Sequence, residues 1–161
     1  PGGGPMDRLA REGDDRRYDL PRAHVSGAEL DMSFSGLKTA ALNTIHHASQ
    51  VGAEIDIPGL CASFCAAVSD TLVPRVVMAL KETGHKQLAV AGGVAANSVI
   101  RRDILAAAEK LGVEVCLPPL SLCGDNAAMI GAQGYYEYIA GNTADMSLNA
   151  YASLPIDMKM Y

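Results

Sequence analysis

The sequence predicts an α/β fold, because two short apolar runs flank a segment with helical periodicity in the second half of the chain. The runs, residues 87–91 and 113–117, have the length of strands, and the segment between them covers residues 97–111. This order predicts a parallel β-α-β unit. The first run ends in Gly92 and Gly93 and is typical of a strand buried on both faces.

The segments before this unit have their own patterns. Residues 5–12 predict a short helix, with Pro5 in its first turn and Gly13 as its stop. Three apolar residues then alternate with polar neighbours, which predicts a half-buried strand before a helix over residues 36–50. These three residues are Leu30, Met32 and Phe34.

The longest periodic stretch, residues 57–81, predicts a helix with a continuous apolar stripe. Pro74 removes the hydrogen bond to the carbonyl of Asp70, so we expect a kink or a break there. Gly84 is predicted to end this helix. A last helix is predicted to start at Asp125, a residue type that often caps helices, and to end before Gly141.

Composition limits the class of protein. With 161 residues and 49% apolar residues, the chain allows one domain with a core. No run approaches 18 uninterrupted apolar residues, so we expect no membrane span. The net charge of −5 argues against a lone nucleic-acid-binding module, although RNA contact within a larger assembly stays open. The first residue is Pro1 rather than methionine, and we expect the chain to be part of a longer one.

The four cysteines are expected to be reduced structural thiols, since none has C-x-x-C spacing and no secretory signal is visible. This indicates a cytoplasmic protein. The cysteines are Cys61, Cys65, Cys116 and Cys123. The histidines are predicted to be structural or solvated: His24, His46, His47 and His85. Six basic residues are predicted on solvated faces, where they would contact phosphates if RNA binds. These are Arg16, Arg17, Arg22, Lys38, Arg101 and Arg102.

Residues 90–97 form the first candidate site. A strand ends, Gly92 and Gly93 allow a ligand to approach the backbone, and a helix N-terminus follows. The alternative is a tight turn in which Asn97 only caps the helix. Neither a dinucleotide fingerprint nor a P-loop is present in the sequence.

Asp125 is the second candidate. Its carboxylate either caps a helix or binds a metal ion or a substrate hydroxyl, and one carboxylate alone does not make a metal site. In a parallel β-α-β unit, the glycine pair and Asp125 would lie at the same carboxyl-end edge of the sheet, where ligands bind. The third candidate is the start of the chain, where glycines precede a helix with Asp7 in its early turns. This segment either binds a hydroxyl group or is a flexible end.

Four ordered motifs resemble one known family. They are PGG with DRLA in residues 1–10, LDMSFSGLKTA in residues 30–40, AGGVAAN in residues 91–97, and PPL with LCGDNAAMI in residues 118–130. Together they are similar to the C-terminal half of the TsaD/Gcp (Kae/Qri) family, formerly labelled O-sialoglycoprotein endopeptidase, peptidase family M22. The form of the second motif is more similar to the bacterial and mitochondrial branch. Gly4 and Gly124 depart from the residues usual in the family, proline and threonine.

The resemblance implies a fold and an activity. The fold would be the C-terminal lobe portion of an actin/heat-shock-70/sugar-kinase-like (ASKHA, RNase H-like) protein, incomplete without its N-terminal part. The activity would be transfer of the threonylcarbamoyl group from threonylcarbamoyl-adenylate to the adenosine beside the anticodon in tRNA. The accessory proteins implied are a paralogous scaffold and an ATPase. Residues 1–161 are expected to be a single domain, with a loop and short helix over 1–28, an α/β core over 29–141 and a tail over 142–161.

The resemblance also implies site residues. Gly3, Asp7 and Asn97 match residues that bind the adenylate, and Gly92 and Gly93 match the turn beside the nucleotide. Asp125 matches a carboxylate ligand of one divalent metal ion, iron or zinc. That list gives six residues, and no catalytic residue is assigned. The family's two histidine ligands, spaced H-x-x-x-H, match nothing in this chain, so we expect these 161 residues to hold metal weakly and to be inactive alone.

Three other functions stay open at this point. A non-catalytic scaffold relative would have lost ligands, which the presence of Asp7, Asn97 and Asp125 argues against. The old metallopeptidase assignment lacks support, because no H-E-x-x-H motif is present in the sequence. A sugar or acetate kinase of the same superfamily is the third alternative.

Overall fold

The computed structural model describes residues 2–22 and 24–155. It divides into two compact units, Pro1–Gly124 and Asp125–Tyr161. The first unit holds four α-helices, the last of which lies between two strands in the β-α-β segment. The second unit holds one helix followed by a segment of turns.

The first unit is built around one long helix. Helix α1 is Gly3–Ala10, α2 is Ser35–Gln50, α3 is Ile57–Thr83 and α4 is Ser98–Leu111. Helix α3 packs against each of the other three. The predicted helices are therefore confirmed, although α1 begins and ends two residues earlier than the pattern indicated.

Helix α3 begins and ends at clear signals. The Asp56 carboxylate accepts a hydrogen bond from the Gly59 N–H at 2.9 Å, and Gly84 ends the helix. The helix runs through Pro74 without interruption, so the alternative of a break at this residue is wrong. Neighbouring turns and packing hold the helix together where one hydrogen bond is missing.

By length and hydropathy alone, α3 is long and apolar enough to cross a membrane, a test that core helices also pass. Its buried face carries polar side chains that are hydrogen-bonded within the unit. The Ser63 hydroxyl accepts from the Tyr18 N–H at 3.1 Å, and the Ser69 hydroxyl donates to Asp103 at 2.6 Å. These contacts are those of a core helix.

The parallel β-α-β unit is confirmed. Strand β1, Gln87–Ala89, pairs in parallel with β2, Glu114–Cys116, and α4 connects them. The prediction that β1 is buried on both faces is wrong, because Gln87 and Ala89 are exposed and Leu88 is half-buried. The sheet has two strands in the described part of the chain, and its face with Gln87, Ala89, Glu114 and Cys116 is exposed.

The predicted strand around Leu30, Met32 and Phe34 is also wrong. This segment contains turns and backbone without regular secondary structure, and all three side chains are exposed. Alternation favours a strand only where a neighbouring strand supplies backbone hydrogen bonds. Here the carbonyl of Asp31 instead accepts a hydrogen bond from the Arg75 side chain at 2.7 Å.

Three small apolar clusters form the core of the first unit. One joins α2 and α3 through Leu37 and Leu60. A second joins α1 and α3 through Ala10 and Cys65, and the third places the end of α3 against the sheet. Gly13 allows a close approach in this region, since a Cβ there would lie 2.1 Å from the Pro58 carbonyl oxygen.

The second unit contains helix α5, Ala127–Ile139. Its N-cap is Asn126, whose side chain accepts a hydrogen bond from the Met129 N–H at 3.0 Å. The prediction that the helix starts at Asp125 with this residue as its cap is therefore wrong. Asp125 lies before the cap and is exposed.

Candidate functional site

A cavity of about 560 Å³ in the first unit brings together most of the predicted site. We call it the glycine cavity, because three glycines line it. Its volume is in the range of small-molecule sites. Four of the five predicted substrate-binding residues line it, and only Gly92 does not. The lining is Gly3, Gly4, Met6, Asp7, Phe64, Cys65, Val68, Gly93, Val94, Ala96, Asn97 and Ile100.

Asp7 is the one charged side chain in this lining. It projects from α1, and the residue is buried, with 8% of its surface exposed. Its Oδ1 accepts hydrogen bonds from the Ser98 N–H at 2.7 Å and the Ser98 hydroxyl at 2.8 Å, and its Oδ2 accepts from Arg11 at 2.7 Å. Burial by itself raises the pKa of Asp7, but these donors outweigh burial and hold the pKa below its usual value. The carboxylate is therefore ionised at neutral pH.

Asn97 sits where the sequence predicted both a cap and a ligand contact. Its Oδ1 accepts hydrogen bonds from the N–H groups of Val99 and Ile100, each at 3.1 Å, so the capping role is confirmed. Its Nδ2 donates to the Cys65 sulfur at 3.3 Å. An amide nitrogen carries two N–H groups, so one donor of Asn97 remains for a ligand in the cavity.

The glycine pair forms the turn that the sequence predicted. Gly92 has φ +88°, a conformation that side-chain-bearing residues rarely adopt, which explains glycine at this position. A short 3-10 turn, Gly93–Ala96, then separates the pair from α4. Helix α4 therefore begins at Ser98, one residue later than the sequence indicated.

Arg101 is not on a solvated face, so that prediction is wrong. Its guanidinium donates to the carbonyls of Ala95 and Pro118, the latter at 2.6 Å, and lies 3.2 Å from the Cys123 sulfur. Arg101 thus holds the 3-10 turn of the glycine cavity against the loop after β2. Its periodic position on α4 concealed this role, because the partners are backbone carbonyls distant in sequence.

The remaining wall of the glycine cavity is apolar. Phe64 and Val68 from α3 face it, together with Ile100 from α4. No basic side chain is part of this lining. A bound phosphate would therefore depend on backbone N–H groups, whereas an uncharged ring with hydroxyl groups matches an apolar wall with one acceptor and one donor.

Sequence reasoning missed the residues that hold the site together. Ser98 and Arg11 fix the Asp7 carboxylate, and Cys65 accepts from Asn97. Burial raises the pKa of the Cys65 thiol, which keeps it neutral. The i,i+4 spacing of Asp7 and Arg11 was a visible signal. The contact between Asp7 and Ser98 joins residues 91 positions apart, and no local sequence signal indicated it.

A second cavity of about 690 Å³ lies in the same unit. We call it the arginine cavity, because Arg11 and Arg102 line it. Asp14 and Asp15 line it as well, so charges of both signs balance, and Ser98 is also part of its wall. None of the predicted substrate residues lines this cavity.

The resemblance implies a metal ion with Asp125 as one of its ligands. Within residues 2–22 and 24–155, no three histidine, cysteine or acidic side chains come together as a metal site. Asp125 belongs to the second unit and stays a predicted ligand. The described residues thus do not fit a complete site for iron or zinc.

These features define an α/β protein whose glycine-containing turn opens on a cavity sized for a small ligand. The family model described as TsaD, tRNA N6-adenosine threonylcarbamoyltransferase, matches residues 1–132. The chain belongs to this family.

Curated relatives agree with this assignment. A protein of Moorella thermoacetica is 47% identical over 98% of this chain and 46% of its own length. A protein of Geobacillus thermodenitrificans is 49% identical over 97% of this chain and 46% of its own length. A protein of Lactobacillus delbrueckii subsp. bulgaricus is 46% identical over 97% of this chain and 45% of its own length. Each is named a tRNA N6-adenosine threonylcarbamoyltransferase. The chain spans about half the length of these relatives.

Proposed function

We propose that this chain forms part of an enzyme that transfers a threonylcarbamoyl group from threonylcarbamoyl-adenylate to the adenosine beside the anticodon of tRNA. The observation that carries the proposal is the convergence of Gly3, Asp7, Gly93 and Asn97 on one cavity. These four residues come from two parts of the sequence, residues 3–7 and 93–97. A purely structural role for each would not require them to face one common space.

The cavity supports a role in holding the adenosine part of the donor. The free acceptor capacity of Asp7 and the second N–H of Asn97 can pair with hydroxyl groups of the ribose. The apolar wall of Phe64, Val68 and Ile100 can cover the base. Holding the donor in one orientation is a large part of what a group-transfer enzyme must do.

The reaction itself is an acyl transfer. The exocyclic amine of adenosine attacks the carbonyl carbon of the mixed anhydride, a C–N bond forms, and the bond from that carbon to the phosphate oxygen breaks. Adenylate leaves, and the amine loses a proton to solvent. The glycine cavity would hold the leaving adenylate, and its residues would position the carbonyl for attack. No residue of this chain is assigned to the proton transfer.

Further parts of the proposal concern the whole protein. The fold would be one lobe of a two-lobed ASKHA protein, and Asp125 would supply one ligand to a metal ion completed from outside this chain. A cytoplasmic location and cooperation with accessory proteins, a scaffold and an ATPase, follow from the same assignment. The net charge of −5 fits a protein that shares tRNA binding with partners.

The test is a modification assay with the protein expressed from its complete reading frame. Unmodified tRNA, threonylcarbamoyl-adenylate and the accessory proteins are supplied, and the digested nucleosides are measured by mass spectrometry. We expect threonylcarbamoyladenosine from the wild type and at least about a tenfold loss in Asp7→Asn, which removes a charged hydrogen-bond partner. Unmodified tRNA from the wild type would contradict the proposal, and full activity in Asp7→Asn would show that Asp7 does not hold the donor.

A further inference from the structure

Ser98 is the first residue of α4, and it lines the arginine cavity rather than the glycine cavity. We propose that Ser98 is a positioning residue, which fixes the Asp7 carboxylate so that one acceptor site points to the ligand. The inference rests on the proposed function, because it assigns a role in binding the same donor. Since Ser98 lies outside the glycine-cavity lining, it would act through Asp7 and not by touching the ligand.

The geometry explains how one serine can orient a carboxylate. Both donors of Ser98, the backbone N–H at 2.7 Å and the hydroxyl at 2.8 Å, reach the same oxygen, Oδ1 of Asp7. Arg11 reaches the other oxygen, Oδ2, at 2.7 Å. A carboxylate has about four acceptor sites, so with three in use the remaining one belongs to Oδ2. Without the hydroxyl, Oδ1 keeps one protein donor in place of two, and the two oxygens become nearly equivalent.

The same hydroxyl also affects the charge of the site. The hydrogen bonds from Ser98 are among the causes that hold the pKa of Asp7 low despite its burial. The groups facing Asp7 are Ser98 on α4, Arg11 on its own helix, and the thiol of Cys65 on α3. Loss of the hydroxyl would raise the pKa of Asp7. As the solution is acidified, the carboxylate would then be protonated, and ligand binding lost, at a higher pH than in the wild type.

The chain offers a matched control. Ser69 is a buried serine of α3, and like that of Ser98 its hydroxyl donates to an aspartate on another helix, Asp103 of α4, at 2.6 Å. Neither Ser69 nor Asp103 lines the glycine cavity. Replacing Ser69 by alanine therefore removes a comparable hydrogen bond without disturbing Asp7.

The experiment measures adenosine monophosphate binding by calorimetry between pH 3 and pH 8, with protein expressed from the complete reading frame. We expect Ser98→Ala to bind about tenfold more weakly, the scale of one hydrogen bond to a charged group. We also expect its affinity to fall toward acid at a higher pH than in the wild type, because the Asp7 carboxylate is then protonated more easily. Ser98→Thr, which keeps the hydroxyl, and Ser69→Ala should both bind within about twofold of the wild type.

Two results would overturn the inference while leaving the proposed function intact. One is binding by Ser98→Ala within twofold of the wild type with the same pH profile. The other is an equal loss in Ser69→Ala, which would show a general effect of weaker helix packing. A wild type that does not bind adenosine monophosphate would instead contradict the proposed function, and the positioning role with it.

Discussion

The oxygen and the nitrogen of the Asn97 side chain make different contacts. The oxygen caps α4 through Val99 and Ile100, and the nitrogen lies at the glycine cavity and donates to Cys65. The sequence presented capping and ligand binding as alternatives, whereas in the structure the residue that caps α4 also lines the glycine cavity. The two tasks can therefore be separated by substitution.

We expect Asn97→Ala to lower the free energy of unfolding by about 1 kcal/mol, because the helix cap is lost. Asn97→Asp keeps the accepting oxygen and should be within about 0.5 kcal/mol of the wild type. Both lose the amide donor, so adenosine monophosphate should bind about tenfold more weakly to each. Urea denaturation and calorimetry give the two quantities, and unchanged binding in Asn97→Asp would contradict a ligand contact by the amide.

The low pKa of Asp7 makes part of the stability depend on pH. Burial raises this pKa, and the hydrogen bonds from Ser98 and Arg11 lower it further than burial raises it. A carboxyl group whose pKa is lower in the folded state stabilises the fold above its unfolded pKa of about 3.9. That contribution is lost as the pH falls through the folded-state pKa.

We therefore expect Asp7→Asn to be about 2 kcal/mol less stable than the wild type at pH 7, the scale of charged hydrogen bonds. The difference should shrink below about pH 4, as the wild-type carboxylate is protonated. Denaturation curves from pH 3 to pH 7 test this, with the exposed Asp19→Asn as a control. A difference that stays constant with pH would show that Asp7 contributes only by packing.

At the level of elements, local signals predicted the helices and the β-α-β unit well. Caps and helix ends at Asn97, Gly84 and Asp56 depend on neighbouring residues alone, and a sequence displays them directly. The failures involve distant partners. The alternation at Leu30, Met32 and Phe34 has no partner strand in the described part of the chain, and β1 has only one neighbour.

The candidate site divides in the same way. Gly92 and Asn97 were recognisable because a turn and a cap have local chemistry. That Asp7 joins them across 91 residues, through Ser98, depends on how α1 packs against α3 and α4. Motif resemblance supplied that connection where residue patterns did not.

Pro74 gives a prediction for helix α3. It is exposed and lies inside a continuous helix, so its cost comes from the missing hydrogen bond and not from packing. Pro74→Ala should raise the free energy of unfolding by about 2 kcal/mol. Pro58→Ala is the control, because a proline in the first turn removes no helical hydrogen bond, and no gain is expected. Equal effects of the two substitutions would contradict this explanation.

At the level of the whole molecule, the first unit supplies an organised cavity, and no three metal-ligating side chains come together among the described residues. We expect the isolated 161 residues to hold metal weakly and to modify no tRNA. The protein from the complete reading frame should hold metal tightly and modify tRNA. Metal analysis and nucleoside mass spectrometry on the two samples test this. Full activity of the 161 residues alone would show that no further part is needed.

The central proposal is that the donor binds in the glycine cavity. A crystal structure of the protein with a non-hydrolysable analogue of threonylcarbamoyl-adenylate tests this directly. We predict the adenosine of the analogue between Gly3 and Gly93, with a ribose hydroxyl on Asp7 and the amide of Asn97 within hydrogen-bond distance. An analogue bound in the arginine cavity, or bound without contact to Asp7 and Asn97, would contradict the proposal that the donor binds in the glycine cavity.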